Sequence, residues 1–454
     1  MKLTRQIELK KKSVIHKLER TARYWQQFKN LIYLIALEYY ENNRDISVFT
    51  NQSVLDKIVK GKIRPEFTNE KIDVFVNQLV DLSTNILGAD TVKAILRKVT
   101  HEYRATLKAW HKKQKHSLPK PVKLSKMTSF TFNTNPNMVI DKRYLKTKKQ
   151  NAIVVRLAKS TAVKIKITKN LECDYISLVW NKDTPAKALL MYEVEKQQYN
   201  LDVSKWAAID VGINNLVALV SNTNGDSILI NGKPIKAFNQ WYNKLLAKLQ
   251  SDKSNHKIRQ LSAYRKKRMR QYMGTIANYV IQYCLANDIG TLIISKSLTS
   301  IYQQKSKSKS NQTLRYIPLG MLLNMLEYKA AYFGINIQIV DESYTSKLSS
   351  ISDDIGNVKD LSNYEPSGSR LKRGLYHDEK SNKVFNADLN GAFNIAMKFL
   401  RTRLLEQITD MKTIYRKLCN PVKVNLFSKY SVNPSRITDS TACVTQRKTS
   451  FCTI

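Results

Sequence analysis

Along the first hundred residues apolar positions recur every three or four places, the spacing of a helix that buries one face. Trp25, Phe28, Leu31, Ile32, Ile35 and Ala36 form one such stripe, and Ile72, Phe75, Val76, Leu79 and Val80 another. The pattern predicts a helical lobe over residues 1–110. It breaks where His111-Lys112-Lys113-Gln114-Lys115-His116 runs into Pro119-Lys120-Pro121, a sequence no helix continues through. A period of two follows in Ser129-Phe130-Thr131-Phe132, Ala152-Ile153-Val154-Val155 and Val163-Lys164-Ile165-Lys166-Ile167, predicting strands with one wet face. Residues 111–200 are therefore expected to form a small β-rich domain, drawn as a barrel.

Beyond residue 200 the apolar runs lengthen. Trp206-Ala207-Ala208-Ile209-Asp210-Val211 predicts a buried strand, and turn-rich segments separate it from strands over 216–221 and 227–230. A long basic helical region is expected over about 236–287, then a strand at 291–295, a helix at 319–331, a strand at 337–340 and a last helix over about 389–405. Residues 345–383 read as polar and irregular. Strands alternating with helices imply parallel pairing through right-handed crossovers. The whole order, βββαβαβ followed by a helix, is that of an RNase H-like α/β domain over 201–405. A basic tail with little periodicity occupies 406–454.

Charge narrows the partners. Lys and Arg number 76 against 36 Asp and Glu, a net charge of +40. A surface that positive repels itself unless a polyanion neutralises it, which points to nucleic acid. Between 101 and 170 there are 18 basic residues and two acids, Glu102 and Asp141, so the β-rich domain is expected to grip a phosphate backbone. A membrane partner is not expected, because no apolar run reaches spanning length, and the first twelve residues lack the apolar core of a signal peptide. Five cysteines scattered without a CxxC pair fit a reducing cytoplasm and give no zinc ribbon.

Three acids stand where this topology would gather them. Asp210 lies in the first buried strand, where a lone carboxylate is costly unless paired or bound to a cation. Asp341 and Glu342 follow the last strand; neighbouring strand residues face opposite ways, so one of the two can enter a shared site, and periodicity does not choose between them. Asp388 opens the last helix, a place an N-cap would also fill. Gathered together, three carboxylates make an oxygen-rich site for Mg²⁺ or Mn²⁺, and a pair of such ions suits phosphodiester hydrolysis.

The motifs around these acids resemble the TnpB (transposon OrfB) proteins and the related type V CRISPR effectors. The likeness runs through Ala208-Ile209-Asp210-Val211-Gly212-Ile213-Asn214-Asn215-Leu216, Glu342-Ser343-Tyr344-Thr345-Ser346-Lys347 and Asn386-Ala387-Asp388-Leu389-Asn390-Gly391-Ala392-Phe393-Asn394-Ile395-Ala396. It selects Glu342 over Asp341. It implies an RNA-guided, RuvC-type DNA endonuclease with Asp210, Glu342 and Asp388 as catalytic metal ligands. A helical recognition lobe (with part of the wedge) in 1–110 and a wedge in 111–200 would hold a guide RNA. The target would be double-stranded DNA beside a short flanking motif, with sequence read by base pairing. No small-molecule cofactor is implied. Arg370-Leu371-Lys372-Arg373-Gly374-Leu375-Tyr376 resembles a basic stretch of one branch. Many relatives carry a zinc ribbon after the Thr-Ser step, but here no cysteine lies between 285 and 418, so no zinc is expected.

Nucleic-acid contacts are expected from Lys112, Lys113, Lys115 and Lys120, from Arg265, Lys266, Lys267 and Arg268, and from Arg370, Lys372 and Arg373. Lys305 to Ser310 reads as a loop near the groove, and most of the 23 tyrosines fall at core positions. Two other readings stand beside the nuclease: an RNA-guided DNA-binding protein without cleavage, and a guide-independent transposition accessory protein.

Overall fold

The structure, a computed structural model, describes residues 2–62, 70–114, 116–134, 138, 152–166, 175–197, 199–295, 317–341, 343–355, 364–372, 374–400 and 411–427. Glu342, Lys115, Arg373, the 305–310 loop and the tail past 427 lie outside them. The fold is mixed α/β, and the chain divides into two compact units, Met1–Glu195 and Lys196–Cys452.

In the first unit the apolar stripes fold as helices α1 (Lys12–Asn43), α2 (Gln52–Val59), α3 (Glu70–Asp81) and α4 (Ala89–His111). Five strands follow: β2 (Ser129–Asn133), β3 (Ala152–Ala158), β4 (Thr161–Lys166), β5 (Tyr175–Asn181) and β6 (Ala186–Glu193). The opening of the chain departs from the helical expectation, because Lys2–Leu9 is a strand, β1, that pairs antiparallel with β6 from Lys2↔Glu193 to Leu9↔Ala186. Among the described residues the β-rich part is a four-stranded antiparallel sheet, in the order β1-β6-β5-β2, and a separate β3-β4 hairpin. Helices and strands share one core: Trp25 of α1 meets Phe132 edge-on at 5.1 Å, and its Nε1–H donates to the Leu157 carbonyl at 3.0 Å. Glu102, one of two acids in the basic stretch, is structural. It accepts from the buried Lys29 at 3.0 Å and from the Tyr33 hydroxyl, tying α4 to α1. Burial lowers the Lys29 pKa, against the opposing pull of Glu102.

The second unit is built on a six-stranded sheet. Its strands are β7 (Asp202–Asp210), β8 (Asn215–Ser221), β9 (Ile228–Asn231), β10 (Ile289–Ser295), β11 (Asn336–Val340) and β15 (Val422–Val424). The order is β11-β10-β7-β8-β9-β15. β7, β8 and β9 run antiparallel in sequence; β10 is parallel to β7, β11 to β10, and β15 to β9. Helices α5 (Lys233–Ser251), α6 (Asn255–Ala286) and α7 (Leu319–Phe333) come between strands, and α8 (Ala387–Leu400) and α9 (Met411–Cys419) follow.

Alternation along β7 sorts the layers. Ala207 and Ile209 pack with Ile276 and Val280 of α6 and Leu322 and Leu326 of α7. Trp206 and Ala208 pack on the other side with Leu389, Ala392, Phe393 and Ala396 of α8. Two expectations change. The region read as irregular contains an antiparallel sheet of β12 (Gly368–Lys372), β13 (Leu375–Asp378) and β14 (Lys383–Asn386). Part of the basic tail also belongs to the fold: Ile414 and Leu418 of α9 are buried on the α8 side, and Val424 of β15 on the other.

Candidate functional site

Strands β7, β10 and β11 are parallel and end together: Ile294 stands opposite Ile209, and Ser295 opposite Val340. Asp210 is the last residue of β7, on the even-numbered side that faces α8. The Val211 amide donates to its Oδ1 at 2.8 Å. Gly212 makes the turn that follows possible, since a Cβ there would lie 2.8 Å from the Asn215 carbonyl oxygen. Gly391 of α8 sits against the acid itself. A Cβ on Gly391 would be 2.7 Å from Asp210 Oδ2, so the absence of a side chain makes room for that carboxylate.

Asp388 lies one turn before Gly391, in the first turn of α8. The structure assigns the capping role to its neighbour: Asn386 Oδ1 accepts from the Asp388 and Leu389 amides, both at 3.0 Å. The Asp388 carboxylate is instead met by Asn215, whose Nδ2 donates to Oδ2 at 2.7 Å. Asp210 and Asp388, 178 positions apart in sequence, thus stand on adjoining surfaces of β7, β8 and α8.

Glu342 lies outside the described residues, but both neighbours are described. Val340 packs on the α8 side. Asp341 is exposed and already partnered, accepting from Ser343 Oγ at 2.5 Å and from Lys398 Nζ at 3.4 Å. The Ser343 hydrogen bonds hold its pKa below the usual aspartate value, with Lys398 adding to the effect.

The donor chemistry fits a hard divalent cation. Asp210 and Asp388 offer carboxylate oxygens, the ligands Mg²⁺ and Mn²⁺ prefer. Among the described residues no group of three His, Cys, Asp or Glu side chains stands together, and position 342 is not among those residues.

The segment after β11 is fastened to α8 by amides one helical turn apart. Asn390 accepts from the Ser350 amide and donates to the Leu348 carbonyl, both at 2.8 Å. Asn394 donates to the carbonyls of Thr345 and Leu348 at 2.9 and 2.8 Å. Further along, buried Asp353 accepts from the Ser349 amide at 2.7 Å and from Ser367 Oγ at 2.5 Å. Asp378 of β13 accepts from Ser349 Oγ and, at 2.9 Å, from the Ser381 amide. Burial works to raise the Asp378 pKa, but hydrogen bonds from Ser349, Ser352 and Ser381 outweigh it and hold the value low.

Residues 189–300 match the OrfB_IS605 family, described as a probable transposase, and residues 320–395 match the Cas12f1-like TNB domain. A TnpB-like protein of Methanocaldococcus jannaschii is 24% identical over 201 residues, covering 42% of this chain and 67% of that protein. The chain is thus similar, over its second unit, to TnpB-like proteins and to a domain of the type V effectors. Two solved structures show similarity over most of the chain. A cryo-EM structure of a Cas12f1–sgRNA–target DNA complex is 17% identical, covering 84% of this chain and 81% of that one, with a TM-score of 0.47. The mini-RNA-guided endonuclease CRISPR-Cas_phi3 is 10% identical, covering 87% and 92%, with a TM-score of 0.41.

The basic residues singled out in the sequence divide by environment. Lys112, Lys113 and Lys120 are exposed, as are Arg370 and Lys372 on β12 and Lys266 and Lys267 on α6. Arg265 and Arg268 are half-buried and do structural service. Arg265 Nε donates to Asn239 Oδ1 at 3.2 Å and its guanidinium lies 4.9 Å from the Tyr242 ring; Arg268 lies 5.0 Å from Tyr272. Asn215, Asn386, Asn390, Gly391 and Asn394 were not singled out from sequence. The recurrence of asparagine at every fourth position, Asn386, Asn390 and Asn394, into and along one helix was the available signal.

Proposed function

We propose that the chain is a transposon-associated, RNA-guided DNA endonuclease. In this reading the second unit is an RNase H-like, RuvC-type domain, and Asp210, Glu342 and Asp388 hold Mg²⁺ or Mn²⁺. The observation that carries the proposal is that Gly391, one helical turn from Asp388, leaves room for the Asp210 carboxylate, while Asn215 of the neighbouring strand donates to Asp388. The strand order, with two parallel strands added beside the first strand of an antiparallel trio, supports the RNase H-like assignment. Alternation from Val340 and the engagement of Asp341 with Ser343 and Lys398 both favour Glu342 as the third acid.

A bound pair of divalent ions would supply charge for the scissile phosphate and acidify the attacking water. The protein's part is to hold and aim carboxylates. The Val211 amide fixes one oxygen of Asp210, Gly391 leaves space for the other, and Asn215 orients Asp388. The net charge of +40 suits a chain that carries a guide RNA and a DNA target together. Sequence would be read by base pairing, with the protein contacting backbone, shape and a short flanking duplex motif. The work would take place in the cytoplasm, at the DNA.

The test uses the full chain with its copurified RNA and a matching double-stranded target. Asp210→Ala is expected to abolish Mg²⁺-dependent cleavage while target binding persists. Undiminished cleavage by that variant refutes the site, and purification without RNA of defined length refutes the guide.

A further inference from the structure

Helices α5 and α6 form a hairpin with an unusual outer surface. Residues 233–270 contain twelve Lys and Arg against a single acid, Asp252. Its small core is Tyr242, Leu249 and Leu261, with Leu245, Leu246 and Ile258 packed beside them. Two large aromatic side chains are left out of that core: Trp241 of α5 and Tyr264 of α6 are each 47% exposed. They touch each other edge to face, with ring centroids 6.1 Å apart and planes at 75°. Phe238 backs both, at 5.5 Å from Trp241 and 6.0 Å from Tyr264.

Exposing a tryptophan and a tyrosine side by side forfeits the apolar burial that either could gain elsewhere. The neighbouring charges say what would cover them. On α5, Lys244 and Lys248 follow Trp241 at three and seven residues, on the same helix stripe, and both are exposed. On α6, Lys257 and Lys267 flank Tyr264 on its stripe, seven residues before and three after, and both are exposed. An apolar protein partner would have to desolvate these lysines. A single-stranded nucleic acid would not, because its phosphates pair with them while a base covers the ring.

We propose that Trp241 and Tyr264 form a stacking platform for an unpaired base of bound single-stranded nucleic acid, with Lys244, Lys248, Lys257 and Lys267 holding the adjoining phosphates. The proposal deepens the nucleic-acid part of the functional reading and is independent of the carboxylate site. It also explains the division of labour among the basic residues of α6. Arg265 reaches across to Tyr242 of α5 and Arg268 lies against Tyr272 of its own helix, whereas the lysines stay at the surface.

The experiment uses the full chain, an oligouridylate carrying 4-thiouridine, and an abasic oligomer of equal length. Ultraviolet cross-linking followed by peptide mapping is expected to mark Trp241 or Tyr264. Trp241→Ala should lower oligouridylate affinity about five- to a hundredfold, the range for loss of one base–aromatic stack, and remove the cross-link. Trp241→Leu, which keeps apolar bulk against Phe238 but lacks a π face, should lose affinity nearly as much, and Trp241→Phe should restore most of it. Binding of the abasic oligomer should be the same in all variants. Equal oligouridylate affinity in the wild-type and Leu chains, or cross-links that map only outside the hairpin, overturns the platform alone. Failure of the wild-type chain to bind either oligomer overturns the platform together with the nucleic-acid reading.

Discussion

Gly391→Ala offers a sharp test of the carboxylate geometry, because its effects on folding and on chemistry should separate. The new methyl carbon would lie 2.7 Å from Asp210 Oδ2, where ordinary contact begins at 3.4 Å. The oxygen must therefore retreat by about 0.7 Å, or the helix must move off the sheet by a similar amount. Moving α8 would disturb Leu389, Ala392, Phe393 and Ala396 and the asparagine contacts behind them, whereas turning one carboxylate disturbs little. The carboxylate should yield. Alanine in place of a helical glycine favours the helix by about 1 kcal/mol, which offsets residual crowding. The melting temperature should then change by no more than about 4 °C in either direction. Chemistry is less forgiving, since a catalytic constellation tolerates only about 0.5 Å of error and a displacement near 1 Å costs on the order of a hundredfold. Mg²⁺-dependent cleavage of a matched target, measured well below the melting temperature, should fall roughly ten- to a hundredfold. Wild-type cleavage in a stably folded Gly391→Ala chain would refute the reasoning. So would a melting temperature lowered far beyond that range, which would mean that the helix gives way and not the acid.

Two further outcomes follow from the segment behind the site. Asn390→Ala leaves the buried Ser350 amide without its acceptor and should cost about 1–3 kcal/mol, read as a shifted denaturant midpoint; a shift below about 0.5 kcal/mol would show that Asn390 does not fasten the segment. Asp378 has a folded pKa below its unfolded value, so its contribution is complete above the ordinary carboxylate range and is lost as pH falls through the folded value. Unfolding midpoints followed from about pH 5 to pH 3 should drop more steeply in the wild-type chain than in Asp378→Asn; parallel curves would count against this role.

Much of the second unit was legible because burial leaves a simple signature. Strands covered on both faces read as unbroken apolar runs, and those over Trp206 to Ile209 and Thr291 to Ser295 lie where such runs stood. What was missed had weaker patterning. In β1, Leu3, Ile7 and Leu9 alternate with polar residues, but Arg5 interrupts them and a 32-residue helix follows at once. Strands β12 to β14 have four or five residues each, and their cohesion rests on Tyr376 stacked on Phe385 and on serine–aspartate hydrogen bonds, none of which has a period. At the site, Asn386 and Asp388 are both good capping residues, and only the three-dimensional contacts reveal that Asn386 takes the role. Likewise a run of arginine and lysine reads as one patch, although Arg265 and Arg268 are engaged with tyrosines.

The α8 sequence from Asn386 to Ala396 carries several tasks because a helix gives each of its stripes a different neighbour. Asp388 and Gly391, three apart, serve Asn215 and Asp210 on the sheet. Asn390 and Asn394, four apart, hold the backbone from Thr345 to Ser350, which follows position 342 by only a few residues. Asn386 caps the helix and ends β14, whose sheet partner β13 supplies Asp378 to the same backbone through Ser349. A shift of α8 relative to β11 must therefore break several buried hydrogen bonds at once, and each broken bond leaves an amide or carbonyl without water to replace its partner. Here the buried carboxylates of Asp353 and Asp378, serine hydroxyls and backbone amides join the segments that follow β11 to one another.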